Sequence, residues 1–460
     1  MDITDRNNID LQDRRVAIIG LSRSGFAAAR LARHLGAEVF VSDSSAGAAV
    51  TGNLAALREL GIDGEIDGHS QRIYSADLWV LSPGIAQDAE IVNQARVRSI
   101  PIVSEIEFSS WFTSAPVLAI TGSNGKTTTA FALARMCQTD TVHGVLAGNM
   151  GVPFAEMVLR DLNEPDPARV FVLEISSFQM EFIRHFRPRV SVFLNISPDH
   201  LDRYHSMDEY VTAKMKLAAN AGDGDFIVYN HDDAILSERL HDTPARLVPF
   251  SVRPADDLIY SIEEKKILTQ ERATLISLDE VALPGYHNYA NLLAAATAAH
   301  LYGISDQTIA TVMQTYQGVA HRLEEVAKVD GVRYINDSKA TNLDAVKVAL
   351  QSFPGPIILI LGGKDKGGDF TELVPLLTNR VKKIIAIGQA RERIRTALWD
   401  AARPELVEGL RDAVEVSRKC AKPGDVVLLS PGCASFDQFR DFEDRGDQFR
   451  QLTQALEQTT

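Results

Sequence analysis

The chain has 460 residues, 45% of them hydrophobic and 23% charged, with a formal net charge of −14. At about 150 residues per domain, that length predicts roughly three domains, each able to bury its own core. The acidic balance argues against a general nucleic-acid surface, so any anion must be held locally by backbone N–H groups and a few placed cations.

In chain order, residues 1–8 are polar and carry no apolar leader, and no window nears the ~18 apolar residues of a membrane span. Residues 16–19 read as a buried strand, followed by the turn Gly20 to Gly25 and a helix over 26–35. Strands follow at 39–43 and 78–81, the latter stopping at Ser82-Pro83-Gly84, and this small doubly wound domain ends near Glu105. A second strand–loop–helix series opens at 117–120 and continues through strands at 170–173, 190–194 and 226–229. Residues 251–283 change to short alternating strands with charges, the pattern of a small antiparallel insertion, before an Ala-rich helix at 291–300. A third series starts near Val319, with strands at 357–361, 384–387 and 426–429. No short repeat or low-complexity segment interrupts this order. The expectation is an α/β chain of three domains, residues 1–105, 106–318 and 319–460. Cys137, Cys420 and Cys433 are too few and too scattered for a disulfide framework or a metal cluster, so a reducing cytoplasm is expected.

The sharpest local signal is Thr121-Gly122-Ser123-Asn124-Gly125-Lys126-Thr127-Thr128, directly after one strand and before a helix. Glycines let a backbone wrap a phosphate, helix N–H groups donate to its oxygens, Lys126 neutralises charge, and the Thr127 hydroxyl suits Mg²⁺. Ile120 stands where a standard phosphate loop has its first glycine, and the plain alternative is a Gly/Asn turn with a surface lysine. Downstream, Glu174 ends one strand and Asn195-Ile196-Ser197-Pro198-Asp199-His200 follows the next. Ligands of open α/β sheets gather at the carboxyl ends of strands, so Thr127, Glu174 and His200 are expected to converge as a shell for Mg²⁺ or Mn²⁺. Taken alone, His200 is more often a hydrogen-bonded structural histidine. The first turn, Gly20-Leu21-Ser22-Arg23-Ser24-Gly25 with Asp43 closing the next strand, nears a dinucleotide fingerprint but has Ser22 for the middle glycine. A tight strand-to-helix turn and a ligand-binding turn fit it equally, and a nicotinamide-dependent oxidoreductase stays formally open.

At this point the sequence resembles the Mur ligases. The loop at 121–127, Glu174-Ile175-Ser176-Ser177-Phe178-Gln179, Ser197-Pro198-Asp199-His200-Leu201-Asp202, His287-Asn288-Tyr289-Ala290-Asn291 and His321-Arg322-Leu323-Glu324 are similar to that family's successive signatures. Asn336-Asp337-Ser338-Lys339-Ala340-Thr341-Asn342 and Leu429-Ser430-Pro431-Gly432-Cys433-Ala434-Ser435-Phe436-Asp437-Gln438-Phe439 are similar to its D-glutamate-adding branch. The resemblance covers nearly the whole chain. It implies a Rossmann-like N-terminal UDP-binding domain, a central P-loop-type ATPase domain and a Rossmann-like C-terminal domain that receives the amino acid. It also implies an ATP-dependent amide ligase adding D-glutamate to UDP-N-acetylmuramoyl-L-alanine through an acyl phosphate, in cytoplasmic peptidoglycan precursor synthesis. Small-molecule substrates, no nucleic-acid or membrane partner, and a monomer complete that expectation.

The same resemblance assigns residues. Gly122, Ser123, Asn124, Gly125, Lys126, Thr127, Thr128, Asn288, Asn291, Arg322 and Asp337 are expected at ATP. Thr127, Glu174, His200 and a carbamylated Lys214 are expected to hold Mg²⁺ or Mn²⁺, with Lys126, His200, Lys214 and Asn149 catalytic. Leu21, Ser22, Asp43, Ser82, Pro83, Gly84, Asn149, Ser176 and Gln179 are expected along the UDP-sugar and its peptide arm. Lys339, Thr341, Lys366, Ser435, Phe436 and Phe442 are expected to clasp D-glutamate. A plain ammonium beside Mg²⁺ would be repelled, whereas carbamylation makes Lys214 an anionic ligand; spacing alone reads it as a solvated helix lysine. Two departures stand out: Lys364 rivals Lys366 in the same loop, and Phe436 stands where an aliphatic residue is common. The nearest alternative is another Mur-type ligase or a folylpolyglutamate-synthase-like ligase. Those relatives carry Tyr- or His-bearing sequences at 337–342, and the Asp-Asn-Pro-Arg motif of a diamino-acid enzyme is absent. A non-catalytic nucleotide sensor on the same scaffold is disfavoured by the joint presence of Lys126, Glu174, His200 and Lys214.

Overall fold

Strands whose residues are apolar on both faces need helices on both sides, and the chain builds three such parallel or largely parallel sheets. The computed structural model describes residues 1, 3–5, 8–198, 203–241, 243–365, 367–378 and 380–457. The expected site residues His200 and Lys366 lie outside the described residues. Two compact units divide the chain, Met1–Tyr316 and Gln317–Thr460.

The first unit opens with β1 (Arg15–Ile19), β2 (Glu38–Ser42), β3 (Asp63–Glu65), β4 (Leu78–Leu81) and β5 (Ile102–Ser104). They lie parallel in the order β3-β2-β1-β4-β5, so the order reverses beside β1. Ile19 pairs with Leu81, which sets the turn after β1 next to the turn after β4. A crevice at such a reversal is where open α/β sheets take ligands.

The second sheet uses β6 (Val117–Thr121), β7 (His143–Gly148), β8 (Arg169–Glu174), β9 (Val190–Phe193), β10 (Phe226–Asn230) and β11 (Arg246–Phe250). All are parallel in the order β11-β10-β9-β6-β8-β7. The register places Ile120 opposite Glu174 and Thr121 opposite Phe193, so the segments leaving β6, β8 and β9 emerge side by side. The antiparallel insertion expected from the alternation is β12 (Tyr260–Glu263), β13 (Lys266–Thr269) and β14 (Thr274–Ser277). The Ala-rich helix extends over Tyr286–Leu301, and its small buried side chains let it pack on the helix Lys126–Met136.

Buried acids tie the two parallel sheets of this unit together. Glu105 Oε1 accepts the Ala155 N–H at 2.6 Å, and burial pushes its carboxyl up to about 7. Glu107 accepts the N–H groups of Arg184, His185 and Phe186 and, at 2.7 Å, the indole of Trp111.

The second unit contains β15 (Glu324–Val329), β16 (Val332–Asn336), β17 (Ile357–Gly362), β18 (Val381–Ile387), β19 (Glu405–Leu406) and β20 (Val426–Leu429). Their order is β15-β16-β20-β17-β18-β19, with only β15 antiparallel to its neighbour. Among the described residues no helix is long and apolar enough to cross a membrane.

Candidate functional site

The loop between β6 and the helix Lys126–Met136 is built on glycine for a steric reason. Gly125, the residue before the helix, has φ 85°, and a Cβ there would lie 2.2 Å from Asn291 Oδ1. Asn291 therefore packs directly on the loop. Lys126 Nζ folds back to donate to Gly122 O and Ser123 O, each at 2.8 Å. Lys214, on the helix Met207–Met215, is buried and donates to the same Gly122 carbonyl at 2.9 Å, with its Nζ 4.7 Å from the Tyr210 ring centroid. Two ammonium groups thus share one carbonyl oxygen. Spacing alone would have left Lys214 in solvent; its burial overturns that plain reading.

The segment after β9 staples this loop from the other side. Ser123 N donates to Asn195 O (2.9 Å), Asn124 N to Asn195 Oδ1 (2.8 Å), and Ser123 Oγ to Ser197 O (2.9 Å). Thr127 is buried in the first turn of the helix, and Thr128 O accepts the Tyr316 hydroxyl at 3.1 Å. Asn288 is occupied locally, donating to Pro284 O at 2.9 Å.

At the neighbouring strand end, Asn149 Nδ2 donates to Glu174 Oε1 at 2.8 Å and its own N–H to Glu174 O. The other carboxylate oxygen, Oε2, is buried with no hydrogen-bond partner among the described residues. Such an orphaned acceptor is costly unless something cationic or protonated fills it. A buried carboxylate with one unused oxygen and a buried threonine hydroxyl are the hard oxygen donors that Mg²⁺ takes. Lys214 fits that set only with CO₂ added to its amine. Among the described residues no three His, Cys, Asp or Glu side chains gather as a metal-binding group. Ser176 and Gln179 form a capping box, in which Gln179 Oε1 accepts from both Ser176 N and Ser176 Oγ.

The turn after β1 has the opposite electrostatic character. Gly20 has φ 90°, and a Cβ there would meet Ser82 Cβ at 2.6 Å. Ser82 Oγ donates to Gly20 O at 2.9 Å, Leu21 N to Asp43 Oδ2 at 2.6 Å, and Asn53 Nδ2 to Leu21 O at 2.9 Å. Leu21, Asp43 and Ser82 are therefore brought together, while Ser22 is exposed and makes no side-chain cap for the helix Arg23–His34. Arg203 reaches the Ser82-Pro83-Gly84 turn, donating to Gly84 O (3.2 Å) and Ile85 O (2.7 Å) while pairing with Glu181 at 2.7 Å. Sequence reasoning missed Asn53, Glu181 and Arg203; adjacency to the 197–202 motif was the only signal for Arg203.

In the second unit, Asp337 follows β16 and is buried. Its Oδ2 accepts the Ser430 hydroxyl at 2.8 Å and its Oδ1 the Leu323 N–H at 3.3 Å. Burial outweighs these bonds and the nearby Arg322, raising its carboxyl to about 7. Lys339 Nζ lies 5.7 Å from the Phe442 ring centroid. The 336–342 segment is joined to the loop after β20 by Gly432 N donating to Ala340 O at 2.8 Å. Ser435 on that loop is buried and Phe436 is 66% exposed. Lys364 is exposed and pairs through its backbone with Ala434, donating N–H to O at 2.8 Å. Thr341 is half-buried, its N–H on Lys339 O.

A glycine loop closed by Lys126 at the end of a parallel sheet, beside a half-satisfied buried carboxylate, carries the donors and charge that suit a phosphate in an α/β protein. Residues 120–299 match the family model for the Mur ligase middle domain, and residues 321–433 that for the Mur ligase, glutamate ligase domain. The UDP-N-acetylmuramoylalanine–D-glutamate ligase of Salinibacter ruber is 42% identical over 97% of this chain and 99% of its own length. That of Acidobacterium capsulatum is also 42% identical, over 97% of each. Among solved structures, MurF ligase from Thermotoga maritima in complex with ADP has a TM-score of 0.58 at 15% identity, covering 100% of this chain and 98% of that one, a likeness of fold. The chain belongs to the Mur ligase family.

Proposed function

We propose that this enzyme joins D-glutamate to UDP-N-acetylmuramoyl-L-alanine, with cleavage of ATP to ADP and phosphate. The 42% identity to two D-glutamate ligases over nearly the full chain supports the choice of substrates. Within the molecule, the reading rests on Lys126 folding onto the Gly122 and Ser123 carbonyls beside the half-satisfied buried Glu174 carboxylate, since a cation on a glycine loop next to a candidate metal ligand suits a polyphosphate.

In the first step the lactoyl-L-alanine carboxylate attacks the γ-phosphoryl group, ADP leaves, and an acyl phosphate forms. In the second the D-glutamate amine attacks that carbonyl, the tetrahedral adduct expels phosphate, and the amine loses a proton. Phosphoryl transfer asks mainly for positioning and charge neutralisation, which Lys126, the 122–128 backbone, Asn288 and Asn291 would supply; Arg322 and Asp337 are proposed as further ATP-binding residues. Thr127, Glu174, His200 and a carbamylated Lys214 would hold Mg²⁺ or Mn²⁺, whose charge offsets that of the phosphate oxygens. Asn149, bonded to Glu174, would fix that carboxylate's orientation and, with Ser176 and Gln179, face the sugar and peptide arm.

Leu21, Ser22, Asp43 and the Ser82-Pro83-Gly84 turn would receive the uridine diphosphate, in a domain of residues 1–105. The ATP-binding domain would span 106–318 and the amino-acid domain 319–460, with D-glutamate among Lys339, Thr341, Lys366, Ser435, Phe436 and Phe442. A monomer in the cytoplasm, with its three cysteines free, completes the proposal. Mass spectrometry of the reaction tests it: the UDP-linked product should gain one glutamyl residue, with ADP and phosphate formed in equal amounts. Phosphate release without that mass gain, or a gain matching another amino acid offered alongside, would reject it.

A further inference from the structure

A cavity of about 570 Å³ opens in the first unit, at the end of the second sheet opposite the 121–128 loop. Val117, the first residue of β6, lines it with Arg187 and Arg189 just before β9, Asp225 just before β10, and Tyr302 at the end of the helix Tyr286–Leu301. The length of β6, about 15 Å of strand, separates this cavity from the 121–128 loop, so both places can be filled at once.

The charges on its wall do not balance. Asp225 is buried, with 7% of its side chain exposed, and its Oδ2 accepts Arg187 Nε at 2.5 Å and the Gly222 N–H at 3.0 Å. Arg189 Nη1 stands 3.9 Å from Oδ1, beyond hydrogen-bond reach, and half of its side chain is exposed. One arginine therefore satisfies the buried carboxylate, and the second brings a charge that the pair does not need. The turn before β10 is shaped around both guanidinium groups. A Cβ at Gly222 would lie 2.9 Å from Arg187 Nη2, and one at Gly224, where φ is 88°, would lie 3.3 Å from Arg189 Nη1. His185 adds no acid, since its Nε2 is held at 2.7 Å from Ile3 O. Burial raises the Tyr302 phenol above its usual range against the pull of Arg189, so its hydroxyl stays a donor.

We infer that this cavity is a second oxyanion site, separate from the 121–128 loop, and that it takes a small phosphate-bearing ligand between Arg187, Arg189 and the Tyr302 hydroxyl. Its donors come from the segment before β9 and from the end of a helix. A tetrahedral ion offers acceptor oxygens in both directions, whereas a planar carboxylate is met by a single guanidinium fork. The volume exceeds what a bare phosphate fills, and the apolar surfaces of Pro116 and Phe186 leave a place for the organic group that carries it. The inference does not depend on which substrates the enzyme joins.

Calorimetric titration of inorganic phosphate into the full-length protein, with sodium chloride holding the ionic strength constant, tests this alongside thermal melting. A phosphate site should be found whose affinity stays within about twofold in Lys126→Ala, because places that share no partners respond independently. Arg189→Gln should weaken it about tenfold or more, as for the loss of a charged hydrogen-bond donor. Asp225→Asn removes the competing carboxylate at nearly the same shape, so it should tighten phosphate about threefold or more. Acetate should bind at least about tenfold more weakly than phosphate. A purely structural ion-pair cluster predicts lowered melting temperatures in both arginine and aspartate variants with the phosphate titration unchanged, and that result would overturn the inference. Phosphate binding that disappears in Lys126→Ala would overturn it too, and acetate binding as tight as phosphate would overturn the assignment to a phosphate-bearing ligand. Should Asp225→Asn fail to fold, a folded Arg189→Gln with wild-type phosphate affinity would be enough to reject the site.

Discussion

Two turns in the first unit share a topology and differ in charge. Each runs from a central parallel strand through glycines into a helix, and each needs a glycine with positive φ: Gly20 at 90° and Gly125 at 85°. After β1, the Leu21 N–H is already taken by the Asp43 carboxylate, and the Ser82 hydroxyl closes on the turn. After β6, the side chains that fold onto the turn are Lys126 and Lys214. A strand-to-helix turn supplies only backbone donors. The side chain offered by the neighbouring element decides whether it favours a polyanion or the N–H and O–H groups of a base or sugar. Under the proposed function, that division would give ATP the second turn and the UDP-linked substrate the first.

The largest way to break this comparison lies at Lys214. If a carbamate there serves the metal, Lys214→Ala should fold normally and lose on the order of a thousandfold in rate, a cost of several kcal/mol in the transition state. Formate or acetate should restore part of the activity, because a small carboxylate fits the vacated space, and chloride should not. Rescue by an alkylamine alone, or near-wild-type turnover, would remove Lys214 from the metal site. Next comes Lys126→Ala, for which a kcat loss of about a hundred- to thousandfold is expected on removing one donor from developing phosphate charge. An unchanged kcat would assign Lys126 to the surface-lysine alternative.

A smaller effect is expected at Asp43→Ala: the KM for the UDP-linked substrate should rise about tenfold, the value of one hydrogen bond to a charged acceptor. A raised KM for ATP instead would assign the first turn to the wrong ligand. The smallest effect concerns Glu105, whose carboxyl is raised from 4.5 to about 7 by burial. A raised carboxyl pKa means that the fold binds this proton more tightly than the unfolded chain does. Stability from Glu105 is then full below about pH 4.5 and is lost as pH rises through 7. Glu105→Gln keeps an acceptor for the Ala155 N–H without the charge, so it should raise the melting temperature by a few degrees at pH 8 and little at pH 5. Equal shifts at both pH values would show that ionisation of Glu105 is not the cause.

Contiguous features were legible. The 121–128 loop carries its glycines, cation and hydroxyl within one turn, and β1, β4, β6, β8, β17 and β20 each contain an apolar run of four or more residues that is buried throughout. Edge strands were not: β3 is Asp63–Glu65, β19 is two residues, and β7 begins with His143 and Gly144, none with the pattern of a buried strand. Burial of Lys214 and Glu105 also escaped the reading, because a lone charged residue gives no sign of which side of a helix the fold covers. Contacts made by single long side chains across the chain were invisible for a related reason. Arg203 on the Gly84 carbonyl, Glu181 beneath it, and Arg445 on Ser338 each join segments whose proximity only the sheet order creates.

The division of labour between the two turns can be measured directly by calorimetric titration of ATP and of UDP-N-acetylmuramoyl-L-alanine into wild-type enzyme, Lys126→Ala and Asp43→Ala. The account predicts a crossed pattern: Lys126→Ala weakens ATP at least about tenfold and leaves the UDP-linked substrate within about twofold, and Asp43→Ala does the reverse. Equal weakening of both ligands by either substitution, with the protein folded, would contradict it.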